Sequence, residues 1–264
     1  MNYDRYKALK VEKRGKVALV TLNKPETLNA FDRELHFELE DVLDDLAKDE
    51  QVNAIVLTGA GKAFSAGGDL KMMQAALTDK SLPKIPMSRA YRLINNILAL
   101  EKPLIAAVNG HAVGLGATIA LFCDVIFAVE NARFSDPHVS VGLVAGDGGC
   151  VIWPALIGIA RAKQYLMTGD AVTVTDAVQM GLINKALPPD QVLPEALAFA
   201  QRLATGPIRA IGWTKMCINE ILRHQVNLIL RASLATEFLC FESADHAEAV
   251  NAFVEKRPPR FRGD

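Results

Sequence analysis

Two glycine-rich stretches are the first places in this chain where residue type and spacing could do chemistry. One is Gly61-Lys-Ala-Phe-Ser-Ala-Gly-Gly-Asp-Leu70 and the other Asn109-Gly-His-Ala-Val-Gly-Leu-Gly-Ala-Thr118. Tandem glycines permit left-handed backbone angles and close ligand approach. The N–H groups after such turns can point into a cleft, and at a helix start they lie at the positive end of its dipole. Two such loops converging on one oxygen would form an oxyanion hole, useful wherever charge develops on a carbonyl. Spacing alone leaves a second reading open, because glycine turns between a strand and a helix are common and need no ligand. Nucleotide readings fit poorly. Gly110, Gly114 and Gly116 lack the G-x-G-x-x-G spacing, and no Gly-Lys-Ser/Thr phosphate loop is present.

A second group of candidates is titratable. An imidazole at His138 can accept or donate a proton near neutral pH. Taken alone, a histidine after Pro137 reads as a loop or core residue. Asp136 could orient that imidazole, but reads first as a turn residue. Asp147, in Val144-Ala-Gly-Asp-Gly-Gly149, is either the N-cap of a short helix or a pocket carboxylate serving as base, nucleophile or orienter of His138. Thr118 is no general base near pH 7. It can hold a water or substrate, or bond back to its own helix. His111 reads as structural or pocket wall. His36, His224 and His246 fall on predicted helices, away from these loops. Trp153 and Met167 read as core, although Met72-Met73 through Leu143 to Trp153 is also the expected wall of an apolar pocket. Cys123, Cys150, Cys217 and Cys240 have no C-x-x-C spacing, so free thiols in a reducing, cytoplasmic setting are expected and no metal site is.

The elements that must position these residues are legible. Val17 to Leu22, Ala54 to Leu57, Leu104 to Val108 and Asp124 to Ala128 read as strands. Asp32 can cap a helix whose buried stripe is Leu35, Leu39, Val42, Leu43 and Leu46. Further helices are expected from about Ser88 to Leu100, from near Gly114, and almost continuously after Pro189. Prolines 258 and 259 follow the last of them. Alternating strands and helices imply an α/β fold with mainly parallel pairing. The chain has 264 residues, 50% hydrophobic and 22% charged, with a formal net charge of −1. That suits one large α/β domain with a helical appendage and gives no global attraction for nucleic acid or an anionic membrane. No apolar run is long enough for a membrane helix, and the charged N-terminus lacks a signal core.

Six segments together resemble the enoyl-CoA hydratase/isomerase, or crotonase, family. They are Asn23-Lys-Pro-Glu-Thr-Leu-Asn-Ala30, the first glycine loop, Lys102-Pro-Leu-Ile-Ala-Ala-Val-Asn-Gly110, Cys123-Asp124, Leu166-Met-Thr-Gly-Asp170 and Lys256-Arg-Pro-Pro-Arg-Phe261. The resemblance runs in order along essentially the whole chain. It implies a ββα spiral over residues 1–188 and a C-terminal helical region over 189–264 that makes trimer contacts, often within hexamers. It implies a coenzyme A thioester substrate and no separate cofactor. By position, the oxyanion donors are the N–H groups of Gly68 and Leu115. Ala30 and the backbone of Ala66, Gly68, Asp69 and Leu70 would contact the CoA moiety, and Lys256 and Phe261 its nucleotide end. The family's two catalytic glutamates have no counterpart, because Thr118 and His138 occupy their positions. At that position His138 reads as functional. In related dienoyl-CoA isomerases and an aryl-CoA dehalogenase, an aspartate matches Gly146, one residue before Asp147. The expectation is therefore thioester activation with weak classical hydration. Decarboxylation, isomerisation, hydrolysis or dehalogenation through His138 and Asp147 are alternatives, as is a non-catalytic CoA-binding scaffold.

Overall fold

The computed structural model describes residues 1–79, 81–82 and 85–263. An antiparallel hairpin opens the chain, β1 (Leu9–Arg14) with β2 (Val17–Leu22). Helix α1 (Arg33–Lys48) follows, capped as expected by Asp32, which accepts from the Leu35 N–H at 2.9 Å. Its predicted stripe is buried. The chain then winds in repeated turns, each giving one long strand and one short strand. The pairs are β3 (Ala54–Gly59) with β4 (Ala63–Ser65), β5 (Leu104–Val108) with β6 (His111–Val113), and β7 (Val125–Val129) with β8 (Arg133–Ser135). Helices α2 (Leu70–Thr78) and α3 (Met87–Ala99) follow β4, and α4 (Leu115–Leu121) follows β6. Next come α5 (Gly149–Ile157), α6 (Ile159–Thr168), β9 (Val172–Thr173), α7 (Val174–Gln179) and β10 (Lys185–Leu187). Helices α8 (Val192–Ala204), α9 (Ile208–Cys240) and α10 (Ala244–Val254) complete the chain.

The long strands form one sheet in the order β1-β2-β3-β5-β7-β10, parallel except at the first pair. The short strands form a second sheet, β4-β6-β8-β9. Each turn thus feeds both sheets, which is the ββα spiral the resemblance implies. β3 and β5 are buried along their whole length, so they read as continuous apolar runs rather than alternating ones. Asparagines hold the corners between long and short strands. Asn109 accepts from the Gly59 N–H at 3.0 Å and donates to the Gly61 carbonyl at 3.1 Å, while Asn29 donates to Ala60 and Ala63. These side chains satisfy backbone groups that leave the ladder at the corner.

β7 starts one residue later than its apolar run suggests. Asp124 precedes it, donating its N–H to the Leu104 carbonyl at 2.8 Å, while its side chain accepts from the Leu104 N–H at 2.7 Å and pairs with Lys215 of α9 at 2.8 Å. Helix α8 lies on the large sheet, α9 packs on α3 and α5, and α10 on α2. The four cysteines are free thiols. Trp153 is in the core as expected, but Met167 is 71% exposed and is not.

Candidate active site

The two glycine loops meet. Gly67 has φ +86°, and a Cβ there would lie 2.8 Å from the Val113 carbonyl oxygen and 3.5 Å from Gly114 Cα. Only glycine lets the first loop come this close to the second. Beyond it, the Phe31 N–H donates to Gly67 O and the Asp69 N–H to Phe31 O, leaving Gly68 between them. Asp69 then caps α2, accepting from the Lys71 N–H at 2.8 Å and the Met72 N–H at 3.3 Å. On the other side Gly114, at φ +51°, makes Leu115 the first residue of α4. Among the described residues, no acceptor takes the N–H of Gly68 or of Leu115. Both residues line one cavity of about 160 Å³. That resembles the ~150 Å³ that holds a benzene ring, so the space suits a short chain or one ring.

His138 enters the cavity beside the second loop. A Cβ on Gly114 would lie 3.6 Å from its Cε1. Nδ1 bonds to Asp136 Oδ1, and Nε2 lies 3.4 Å from Asp147 Oδ2 and 3.8 Å from Glu237 Oε1. Thr118 Oγ1 donates to the other oxygen of Asp147 at 3.3 Å. Burial alone would lower the His138 pKa, but Asp136 and then Asp147 outweigh it and hold it well above its ordinary value. The ring is therefore an imidazolium near neutral pH. Asp136 Oδ2 sits against Gly149 at the start of α5, where the helix dipole favours an anion. Burial first, and then Asp147, push the Glu237 carboxyl up to about 8, against the pull of His138. Cys150 is no nucleophile here, since burial and the same acids push its thiol up to about 11. Asp136, His138 and Asp147 bring ligating atoms within 4.8 Å of one another. An imidazolium can donate from its two nitrogens to these two carboxylates, while Asp136 Oδ2 stays buried with no hydrogen-bond partner among the described residues.

Several sequence expectations change here. Asp136 orients the imidazole and is not simply a turn residue. Asp147 is not the helix cap, because Gly148 holds that position. Thr118 bonds Asp147 across the site rather than its own preceding turn. Leu143 and Trp153 do not line the cavity, whereas Met72 and Met73 do. His36 and His246, set aside as remote, line it too. His111 faces away, its Nδ1 accepting from the Arg133 N–H at 3.0 Å. Ala30, Ala66, Asp69 and Leu70 flank the cavity without lining it, and Lys256 and Phe261 lie on the exposed tail.

Glu237 lies outside the loops and histidines that the sequence points to, yet its helix carries a signal for it. Val226, Leu230, Ser233, Leu234 and Glu237 recur on one buried face of α9. A carboxyl on such a stripe needs a partner or a function. Gly146 lets it arrive, because a Cβ there would lie 2.5 Å from Ser233 O and 2.6 Å from Glu237 Oε2. The space a side chain at Gly146 would take is thus filled from α9, and the loop's own acid stands one residue later.

The enoyl-CoA hydratase/isomerase family model matches residues 12–264. The chain belongs to the enoyl-CoA hydratase/isomerase family. It is 34% identical to crotonyl-CoA hydratase of Syntrophomonas wolfei, over 97% of this chain and 98% of that one. It is 35% identical to 2,3-dehydroadipyl-CoA hydratase of Escherichia coli, over 96% and 98%. A crystal structure of an enoyl-CoA hydratase/isomerase from Mycobacterium paratuberculosis superposes with TM-score 0.90 at 35% identity, over 94% of this chain and 99% of that one. This family member is an enzyme of the lyase or isomerase kind. Its His138 and Thr118 stand where the resemblance expects glutamates.

Proposed function

We propose that the enzyme adds water to an unsaturated acyl-CoA thioester, with Asp136, His138 and Asp147 replacing the glutamate pair. The N–H groups of Gly68 and Leu115 would hold the thioester oxygen as the enolate forms. The observation that carries this reading is the pairing of an imidazolium with a carboxylate, 3.4 Å apart, in the cavity both donors line. Asp147 takes a proton from water as its oxygen bonds to the β-carbon. His138 gives its own proton to the α-carbon, and the proton on Asp147 then returns to His138. Water is thus added with no net change in the enzyme. Thr118 keeps Asp147 in place.

The CoA moiety is assigned to the backbone of Ala66 to Leu70 and to Ala30, with Lys256 and Phe261 at its nucleotide end. The subunits are assigned a trimeric or hexameric association through α9 and α10. A panel of trans-2-enoyl-CoA thioesters tests the reaction, scored by mass spectrometry for a gain of water and by a thiol reagent for free CoA. A hydrated thioester with no free thiol supports the reading. Release of CoA from saturated thioesters supports a second reading, hydrolysis. That reading is favoured by Asp136 on Nδ1, the arrangement of hydrolytic histidines. Turnover unchanged in His138→Asn would sink both.

A further inference from the structure

One carboxyl in the cavity has no part in this chemistry so far. Glu237 is carried there by α9, which Ser233 pins to the 144–149 loop by donating to the Gly146 carbonyl at 2.8 Å. His138, Asp147 and Glu237 all line the cavity, and their side chains keep 11%, 11% and 9% of their surface accessible. Much of the remaining wall is apolar, including Phe31, Met72, Met73, Leu77, Leu234 and Phe238. The three groups thus form a polar corner. Asp147 Oδ2 is 3.4 Å from His138 Nε2, and Glu237 Oε1 is 3.8 Å from the same nitrogen. Among the described residues none hydrogen-bonds to the Glu237 carboxyl, and 3.8 Å is too long for a direct bond. A polar gap of that length is where a water bridges, and a buried water is held by several polar partners. This corner supplies them.

We infer that this corner is the site of the reacting water, and that Glu237 holds that water together with Asp147. The inference rests on the hydration reading above and adds a residue to it. Burial and Asp147 keep the Glu237 carboxyl protonated at neutral pH, so it offers an acceptor as well as a donor. Its carbonyl oxygen accepts one O–H of the water, while Asp147 takes the proton of the other as the oxygen bonds to the β-carbon. The first O–H becomes the product's hydroxyl. Glu237 keeps its own proton throughout, so the addition still balances as one water gained by the thioester. An ionised carboxylate in its place would compete with Asp147 for the water's proton and set a like charge beside it. A neutral one orients the water and does neither.

The test pairs a crystal structure with kinetics. The enzyme is crystallised with butyryl-CoA, a saturated thioester that cannot add water. An ordered water within hydrogen-bond distance of both Glu237 and Asp147 is expected, and a corner without one overturns the inference. In Glu237→Leu, kcat for the enoyl-CoA that the parent enzyme hydrates should fall about 10- to 100-fold, the worth of one hydrogen bond to a buried polar group. Glu237→Gln keeps the carbonyl but has no proton to transfer, and it should recover most of that loss. The calorimetric Kd of butyryl-CoA should stay within about twofold in both variants, and thermal melts check each fold. An unchanged kcat in the Leu variant overturns the inference. So does a Gln variant as slow as the Leu one, which would make Glu237 a proton donor, and so does a Kd that weakens in step with kcat, which would make it part of the acyl wall. If the Leu variant does not fold, the crystal structure still decides. An ordered water in an enzyme that hydrates no enoyl-CoA overturns the hydration reading alone.

Discussion

At the scale of the residue, His138 has a carboxylate at each ring nitrogen, and this sets its charge. Replacing it by Asn keeps some hydrogen bonding but no titratable proton, so kcat for hydration should fall about 10²- to 10⁴-fold, with much less change in KM, in steady-state assays of an enoyl-CoA. Asp136→Asn removes the largest influence raising the His138 pKa. The alkaline limb of kcat/KM should therefore move to lower pH, and an unmoved limb would detach Asp136 from the proton chemistry. Glu237 titrates at about 8 in the fold against 4.5 for an ordinary glutamate. Between those values the folded state holds a proton the unfolded state has lost, so stability falls as pH rises, by at most about 1.4 kcal/mol per pH unit. His138, also raised, adds a loss of the same sign only above 6.5. In urea denaturation, Glu237→Gln should thus lose this downward contribution between pH 4.5 and 6.5, where His138 does not contribute, leaving the opposing rise from His36, which burial lowers to about 4. His138 and Asp147 were legible as candidates because they stand in loops between elements, at positions a resemblance could weigh. His36 was not, because a polar residue on a predicted helix reads as solvated until a neighbouring element covers it, and Glu237 was legible only through the apolar stripe it shares on α9.

At the scale of the element, the site depends on loops held by close backbone approach. Gly67→Ala places a methyl 2.8 Å from Val113 O on a residue at φ +86°. It should destabilise the fold by about 1–3 kcal/mol and lower kcat/KM further by displacing the Gly68 N–H, as read by denaturation and kinetics together. A fully active variant would separate Gly68 from the oxyanion role. Gly146 matters in another way, since it lets α9 reach the loop and deliver Glu237. The strands and α1 were readable from apolar runs and a capping aspartate, because those signals are local. The contact of α9 with the 144–149 loop was not, since its partners are nearly ninety residues apart in sequence.

At the scale of the whole molecule, α9 leaves an apolar line open in the single chain. Ile221, Leu228 and Leu239 are 65%, 72% and 74% exposed, and their spacing puts them on one helix face. Such a face signals association. Light scattering should give a trimer or hexamer, and Ile221→Asp with Leu228→Asp should shift it toward the single chain. A monomeric parent protein would contradict the assigned assembly. The sequence by itself determined the α/β class and the two glycine loops, which are written in local apolar periodicity and in turn residues, while the spiral, the family and the expectation for Gly68 and Leu115 came from the resemblance its motifs carry. It also showed that the expected glutamates were absent. Only the tertiary structure decided what stands in their place. Charge, burial and distance act between side chains that the chain itself keeps far apart. They made His138 an imidazolium, Asp136 its support, Asp147 its counterpart and Glu237 a buried acid beside them.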